Sequence, residues 1–377
     1  MEKREIALPR SIPGTETTVT AFFYGPQQAP RKVYIQASLH ADELPGALAA
    51  WHLCQRLQTL EEQGAVRAQI VVVPLCNPVG LRQTTLYDHQ GRFDLATGQN
   101  FNRLRTIGLY DKLLAYLKSQ PQALGQDAQA NTAAIRAVLR EVVAAYQPQT
   151  TVEALHSVLL GLSADADLVL DLHCDQHATV HFYTLPQHWP ALQPLACWLG
   201  SRCQILSESS GAQSFDEVLA SLWLRLQRDF PQAKIDLACV AATVELRGER
   251  DLSHELAGQD ADAILQYLHH LGDVALPADA QRPMPALLTE PHPLSGLVYV
   301  PAPAAGIVVY HAQAGDWVET GQLLAEVVDP LQPEAVPVHS PVSGFVFAVG
   351  DVCFAHPENK LMTISSPQDL GHVGLSP

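Results

Sequence analysis

The regular alternation of strand-like and helix-like segments between Lys32 and about residue 273 is the feature that most constrains the fold. Short apolar segments rich in β-branched residues, such as KVYIQAS and AQIVVVPLCNP, are followed by longer segments with helical spacing of apolar residues. Strands that alternate with helices are typical of α/β proteins. We therefore predict a mostly parallel or mixed sheet flanked by helices for residues 1–280, with a ligand site at the carboxyl ends of the strands.

A second, smaller domain is predicted after a proline-rich linker at residues 276–296. Two later segments resemble each other, since each has Pro-x-x-Gly, alternating apolar residues and then a Gly-Asp pair, Gly315-Asp316 or Gly350-Asp351. This repetition predicts an all-β domain with internal pseudo-symmetry at residues 290–368. It resembles the barrel-sandwich fold of biotinyl and lipoyl carriers. No lysine lies between Lys234 and Lys360, so no attachment site and no carrier role are expected.

Composition and charge exclude several classes of protein. The formal charge is −16 and no basic cluster is present, which argues against a nucleic-acid partner. No apolar segment approaches the roughly 20 residues of a membrane helix, and the N-terminal MEKREIALPR is charged where a signal peptide is apolar. The seven cysteines have no regular spacing, which indicates reduced thiols. We predict a cytoplasmic protein without membrane or nucleic-acid partners. Homo-oligomers are common among such proteins, but the sequence does not define the oligomeric state.

Candidate metal ligands lie where a strand gives way to a helix. His40 and Glu43, in LHADELPG, precede the helical segment that begins at Pro45. An imidazole and a carboxylate three residues apart can converge on one Zn²⁺ ion, and catalytic zinc sites usually take three protein ligands. His173, in DLVLDLHCD, offers a third, with Asp171 as a carboxylate that could orient an imidazole. With 16 histidines in the chain, a His-x-x-Glu spacing often occurs by chance and is weak evidence for a metal site on its own.

Four motifs in order resemble one family of hydrolases. SLHADELPG, NFNR, LDLHCD and ATVELRGERD resemble the succinylglutamate desuccinylase/aspartoacylase family, within the zinc carboxypeptidase superfamily, over roughly residues 30–273. The markers of serine hydrolases, two-histidine zinc proteases, phosphate-binding loops and Cys-x-x-Cys sites are absent from the sequence. The resemblance implies one Zn²⁺ ion per chain and a carboxypeptidase-like fold.

The resemblance also implies roles for individual residues. Three of them match the family's zinc ligands: His40, Glu43 and His173. Glu245 matches the catalytic glutamate that acts on metal-bound water, and Asn102 with Arg103 matches the pair that binds the substrate's α-carboxylate. A guanidinium group suits that task because it donates two parallel hydrogen bonds to a carboxylate. Arg92 is the candidate for the arginine that polarises the scissile carbonyl, with Arg82 as the alternative.

The implied activity is hydrolysis of a small N-acyl amino acid, with an acetyl or succinyl acyl group. A zinc carboxypeptidase acting on short peptides is the alternative enzyme, and a small-molecule binding protein with a degenerate site is the alternative of another class. Two departures leave the substrate undefined: Ala41 stands where many members have glycine, and HCD stands where aspartoacylases have His-Asn or His-Ser.

Two further groups of charged residues keep two interpretations each. Asp216 and Glu217 are either ordinary acids at a helix start, with Ser214 as the cap, or part of the pocket lining. Arg247 and Arg250 either bind an anionic acyl group or form ion pairs with the acids next to them.

Overall fold

The structure, a computed structural model, describes residues 1–9, 14–104, 107–120 and 124–371. In these ranges the α-helices are α1 (Pro45–Glu62), α2 (Leu109–Ser119), α3 (Ala128–Ala144), α4 (Thr151–Ser163), α5 (Trp189–Leu199), α6 (Phe215–Asp229) and α7 (His254–His270). Short 3₁₀ helices span Gly80–Arg82, Pro186–His188 and Leu294–Gly296. The strands before the linker are β1 (Glu2–Ala7), β2 (Thr18–Tyr24), β3 (Lys32–Ala37), β4 (Gln69–Val73), β5 (Thr84–Thr85), β6 (Asp88–His89), β7 (Leu168–Asp175), β8 (His177–Ala178), β9 (His181–Thr184), β10 (Cys203–Leu206) and β11 (Val240–Gly248). The later strands are β12 (His292–Pro293), β13 (Leu297–Pro301), β14 (Gly306–Tyr310), β15 (Trp317–Val318), β16 (Leu323–Val328), β17 (Val336–His339), β18 (Gly344–Val349), β19 (Phe354–Ala355) and β20 (Lys360–Ser365).

A nine-stranded mixed sheet forms the centre of the molecule, in the order β1-β2-β4-β3-β7-β11-β9-β10-β12. The strands β4, β3, β7 and β11 run parallel, as do β9, β10 and β12, whereas β11 and β9 are antiparallel. An antiparallel hairpin, β1 and β2, extends the other edge and pairs with β4. The sheet is therefore mixed, which confirms the predicted α/β class.

Helices cover both faces of this sheet, and each face has its own apolar core. One core lies under α2, α3, α4 and α6 and includes Phe101 and Trp223, which are fully buried. The other lies under α1, α5 and α7 and includes Leu53 and Tyr267. None of the helices in the described ranges is both long enough and apolar enough to cross a bilayer.

The register of the three central strands brings the candidate site residues to one edge of the sheet. Gln36 of β3 lies opposite Asp171 of β7, which in turn lies opposite Thr243 of β11. Two residues further along, His173 lies opposite Glu245. Because parallel strands end at the same edge, these side chains meet where the polypeptide leaves the sheet, as the sequence predicted.

The chain after residue 296 forms two antiparallel sheets, β13-β20-β18-β15 and β17-β16-β14-β19. Gly306 and Gly344, the last residues of the two Pro-x-x-Gly motifs, begin β14 and β18. The short strand after each Gly-Asp pair crosses to the other half, since β15 pairs with β18 and β19 pairs with β14. This reciprocal pairing agrees with the predicted pseudo-symmetry. The division into domains at 1–280 and 290–368, and the barrel-sandwich assignment, stay predictions.

The α/β part and the β part exchange short strands. Strand β8 of the first part pairs with β18, and β12, which follows the linker, pairs in parallel with β10 of the large sheet. A small apolar cluster fills the junction: Cys203, Ile205, Leu294, Leu297, Phe345, Phe347 and Ala348. The β part is thereby held at the β10 edge of the large sheet, beside the carboxyl ends of the central strands.

Candidate metal centre and active-site cavity

A tight turn directly after β3 positions His40 and Glu43. Ser38 has a positive φ of 59°, which turns the chain sharply at the end of the strand. Its hydroxyl donates to the Glu43 carbonyl over 3.0 Å, and the Glu43 N–H donates to the His40 carbonyl over 3.2 Å. The two side chains therefore stand at the carboxyl end of β3 on a hydrogen-bonded turn.

A neighbouring loop holds this turn in place. The Asn77 side chain donates to the Leu39 carbonyl over 2.8 Å, and the Ala41 N–H donates to the Gly91 carbonyl over 3.0 Å. Gly91 also donates to Asp42 Oδ2 over 3.1 Å, and a Cβ atom at Gly91 would lie 2.1 Å from the Asp42 nitrogen. Only glycine allows this approach. Ala41 is fully buried without a positive φ, so the turn accepts alanine where many family members have glycine.

The three predicted metal ligands meet at the carboxylate of Glu43. His40 Nδ1 lies 2.8 Å from Glu43 Oε1, and His173 Nδ1 lies 2.6 Å from Glu43 Oε2. All three residues are buried, and their ligand atoms lie within 4.8 Å of one another. The structure thus brings together one group that could hold a metal ion, from two separate parts of the sequence.

The outer nitrogens of both imidazoles face oxygen acceptors. His40 Nε2 lies 2.9 Å from Asn100 Oδ1, and His173 Nε2 lies 3.1 Å from Asp171 Oδ2. Gln36 Nε2 donates to the other Asp171 oxygen over 2.9 Å. A proton on His40 Nε2 satisfies Asn100 Oδ1 and leaves the Nδ1 lone pair free for a metal ion, and the nearby Asp171 favours the same arrangement at His173. Two imidazoles and one carboxylate are a donor set of catalytic zinc sites, so the residues present fit this metal. Asp171 has the predicted position, whereas Asn100 was not predicted.

Electrostatics keep the shared carboxylate ionised. Burial by itself would raise the pKa of Glu43, but the adjacent His40 and His173 outweigh it and hold that pKa well below the usual value. Burial likewise opposes the charge on His173, yet the carboxylates of Asp171 and Glu43 raise its pKa well above the usual value. A metal ion bound here would replace the proton on His173 as the positive partner of the Glu43 carboxylate.

Glu245 faces the same cavity, which has a volume of about 490 Å³ and is lined by the three candidate ligands as well. Its Oε2 atom is buried and accepts no hydrogen bond from the described residues. Burial, together with the charge of Glu43, raises the pKa of Glu245 to about 8. The pairing of β11 becomes irregular just after this residue, and Arg247 has a positive φ of 67°. Such bulges redirect side chains beside functional sites.

Asn102 and Arg103 line the cavity next to the histidine cluster. Asn102 Oδ1 accepts a hydrogen bond from the N–H of Phe215 over 2.8 Å, while its Nδ2 lies 3.4 Å from His173 Nε2. The first residue of α6 therefore fixes the orientation of the amide, with its donor group next to His173. Arg103 Nη1 donates to the backbone carbonyl of Asn102 over 2.8 Å, which holds the guanidinium group against the loop that carries Asn102.

Of the two arginines considered for the carbonyl, Arg92 lies at the cluster and Arg82 does not. Arg92 Nη1 lies 3.1 Å from Glu43 Oε1 and 3.2 Å from His40 Nδ1, and Arg92 lines the cavity. Arg82 instead donates to the Thr17 hydroxyl over 3.1 Å and is not among the residues that line the cavity.

The remaining arginines have structural partners. Arg247 forms an ion pair with Asp260 of α7, and the exposed Arg250 lies 3.5 Å from Asp351 of the β part. Neither arginine lines the cavity, and neither pairs with the adjacent acids that the sequence suggested. Their placement gives no support to a role in binding an acyl group.

The β part supplies one wall of the cavity. Tyr299 of β13, Lys360 and Thr363 of β20, and Leu294 after the linker line it together with residues of the large sheet. None of these four residues was predicted, because no local pattern shows which face of a distant strand covers a cavity.

The fold and the cluster define the general class, an α/β protein with a candidate metal-hydrolase site. The model of the succinylglutamate desuccinylase/aspartoacylase catalytic domain matches residues 29–271, so the chain belongs to this family. None of the curated proteins compared with the chain matches it.

Solved structures show the same fold over nearly the whole chain. A family protein from Shewanella amazonensis SB2B is 24% identical, with 97% of this chain and 99% of that chain covered and a TM-score of 0.83. One from Shewanella frigidimarina NCIMB 400 is 23% identical, with 97% of each chain covered and a TM-score of 0.81. The product-bound ectoine utilization protein EutE (DoeB) from Ruegeria pomeroyi is 14% identical, with 97% and 94% covered and a TM-score of 0.64. The likeness includes the β part.

Proposed function

We propose that the protein is a zinc-dependent hydrolase that cleaves the amide bond of a small N-acyl amino acid, with an acetyl or succinyl acyl group. The observation that carries the proposal is the buried cluster of His40, Glu43 and His173 in one cavity with the unpaired carboxylate oxygen of Glu245. When bound there, zinc lowers the pKa of a water molecule and polarises a carbonyl group.

Glu245 moves the proton in the proposed reaction. A general base works best when its pKa lies near the working pH, and burial raises the pKa of Glu245 to about 8. Its Oε2 atom takes a proton as water adds to the acyl carbon. The same oxygen returns that proton to the amine nitrogen as the carbon–nitrogen bond breaks, so one residue serves as base and then as acid.

Asn102 and Arg103 hold the substrate by its α-carboxylate. Both line the cavity beside His173, and an arginine fork with an amide donor satisfies the oxygens of a carboxylate. Binding at this point places the acyl carbon within reach of Glu245. Arg92, next to Glu43, donates to the acyl oxygen as negative charge develops on it.

Replacing Arg103 with alanine is expected to weaken substrate binding more than catalysis. Loss of a charge-assisted hydrogen-bonded pair should raise KM about 10- to 100-fold and lower kcat much less. Steady-state kinetics on the best substrate would measure both constants. Arg250→Ala is the matched control, since this arginine is exposed and pairs with Asp351 outside the cavity. An unchanged KM in Arg103→Ala would contradict the proposed carboxylate clamp.

The function itself is tested with a panel of substrates. The zinc-loaded protein is incubated with N-acetyl and N-succinyl amino acids and with short peptides, and released amine is measured before and after treatment with a chelator. Cleavage of one acyl class that the chelator abolishes would support the deacylase. Cleavage of peptides alone would favour the carboxypeptidase, and no cleavage with zinc bound would favour a degenerate binding site.

A further inference from the structure

Asp216 is a buried carboxylate on the wall of the cavity. Its residue is 5% exposed, and it forms no ion pair with a basic side chain in the described part of the chain. The hydroxyl of Ser214 donates to its Oδ1 atom over 2.6 Å, and the Thr243 side chain also hydrogen-bonds it. Burial raises the pKa of Asp216 to about 6, and nearby Asp171 adds to the effect. Buried carboxylates usually have a cationic partner. Asp216 has none among the described residues.

The start of helix α6 does not account for this placement. An acid in the first turn is favourable at a helix N-terminus, but such an acid needs no burial. Ser214 occupies the N-cap position without capping the helix, because its hydroxyl is directed at Asp216 instead. The neighbouring Glu217 binds the loop before the helix through Ser209 and Ser210. Both acids line the cavity, but Glu217 is half-buried and bound to this loop, whereas Asp216 is buried beside the central strand β11.

A second buried polar group in the same cavity also lacks a partner. Thr363 of β20 is 1% exposed and lines the cavity, and its hydroxyl makes no hydrogen bond with the described residues. Burying a hydroxyl without a partner is unfavourable, so this atom indicates a polar ligand in the cavity. A hydroxyl oxygen can accept a hydrogen bond from an ammonium group, although this bond is weaker than the one a carboxylate accepts.

The overall charge of the lining favours a positive ligand. Seven acids line the cavity: Asp42, Glu43, Asp175, Asp216, Glu217, Glu245 and Glu249. Three bases line it: Arg92, Arg103 and Lys360. One acid is a candidate metal ligand and one the candidate base, which still leaves acids in excess. An excess of acids concentrates cations in a cleft.

Asp216 lies where the side chain of the bound amino acid would go. The preceding residue, Phe215, donates to Asn102 of the carboxylate clamp. Its other neighbour, Thr243, lies two residues before Glu245 on β11, and both side chains line the cavity, about 7 Å apart along the strand. With the α-carboxylate at Asn102 and the amide nitrogen near Glu245, a side chain long enough to span about 7 Å would reach Thr243 and its partner Asp216.

We infer that the amino acid released by this enzyme carries a positively charged side chain, an ammonium or guanidinium group, that pairs with Asp216. The inference rests on the proposed deacylase function, because it takes the position of the amino acid from the carboxylate clamp.

Binding of the amino acid product tests the inference without turnover. Calorimetry on the zinc-loaded protein compares L-ornithine and L-lysine with the uncharged L-norvaline and L-norleucine. The basic amino acids should bind about 10- to 100-fold more tightly, and Asp216→Asn should remove this difference. Glu217→Gln is the matched control and should keep the difference, since it removes an acid from the same helix turn that already has hydrogen-bond partners.

Deacylation of the Nα-acetyl derivatives of the same four amino acids separates the two proposals. Cleavage of the neutral derivatives at equal or higher kcat/KM would overturn the inference and leave the deacylase intact. Preferential binding of basic amino acids without cleavage of either their Nα-acetyl or their Nα-succinyl derivatives would overturn the deacylase and keep the assignment of Asp216. A preference that survives in Asp216→Asn would overturn the inference. If that variant does not fold, binding to the wild-type protein alone decides. Binding of the basic amino acids that is equal to or weaker than that of the neutral ones would overturn the inference.

Discussion

Glu245→Gln is expected to lower kcat by several orders of magnitude while one zinc ion per chain stays bound. Glutamine has the same shape but cannot take a proton from water, and general base catalysis contributes about 10²- to 10⁴-fold. The candidate metal ligands His40, Glu43 and His173 hold one another through contacts that do not involve Glu245. Turnover and metal content, measured on the same preparation, check the prediction.

Glu249→Gln is the matched comparison for this variant. Glu249 is a second glutamate that lines the cavity, and burial together with nearby carboxylates raises its pKa to about 7. Glu245 lies directly opposite His173 in the pairing of β11 with β7, whereas Glu249 follows the end of β11. If Glu249→Gln abolished turnover and a zinc-loaded Glu245→Gln protein kept it, the assignment of the base would be wrong.

Glu43→Gln should have the other large effect, the loss of the metal. Its carboxylate contacts both His40 Nδ1 and His173 Nδ1, so the substitution removes the only negative charge among the three candidate ligands. Because even residues that merely support a metal ligand change affinity about 10- to 100-fold, we expect the loss here to exceed about 100-fold. Competition with a chelator measures the zinc affinity, and activity should fall in parallel.

Asp42→Asn provides the control for the metal prediction. Asp42 lies in the same turn, and its Oδ2 accepts a hydrogen bond from Gly91 rather than contacting either histidine. The variant should keep stoichiometric zinc. A Glu43→Gln protein that also kept stoichiometric zinc under competition would exclude Glu43 as a ligand.

The central strands were predictable because they are buried on both faces. Continuous apolar segments such as QIVVV and LVLDL are typical of parallel strands inside an α/β sheet, and they became β4 and β7. The N-terminal hairpin was not predicted. Strand β1, EKREIA, carries charges along most of its length, as an exposed edge strand does, so its apolar signal is weak. The antiparallel direction of β9 depends on contacts distant in sequence and was not predicted either.

The site was predictable only as far as local spacing and family resemblance allow. His40 and Glu43 share one turn, but spacing alone did not distinguish them from a chance pair. Asn100 touches His40 from 60 residues away, and Thr363 reaches the cavity from another sheet. Partners of this kind follow from tertiary packing, which single-sequence patterns do not contain. The roles of Glu245 and Arg103 came from resemblance and stay predictions.

The exchanged strands have a consequence for how the molecule loses its structure. Since β8 completes a sheet of the β part and β12 completes the large sheet, cutting the chain at the linker leaves both sheets with an unpaired edge. Such edges are templates for aggregation. Melting of the two parts should therefore be a single cooperative event. A fragment ending near residue 280 would lose the cavity wall formed by Tyr299 and Thr363, so it should lose substrate binding as well as stability.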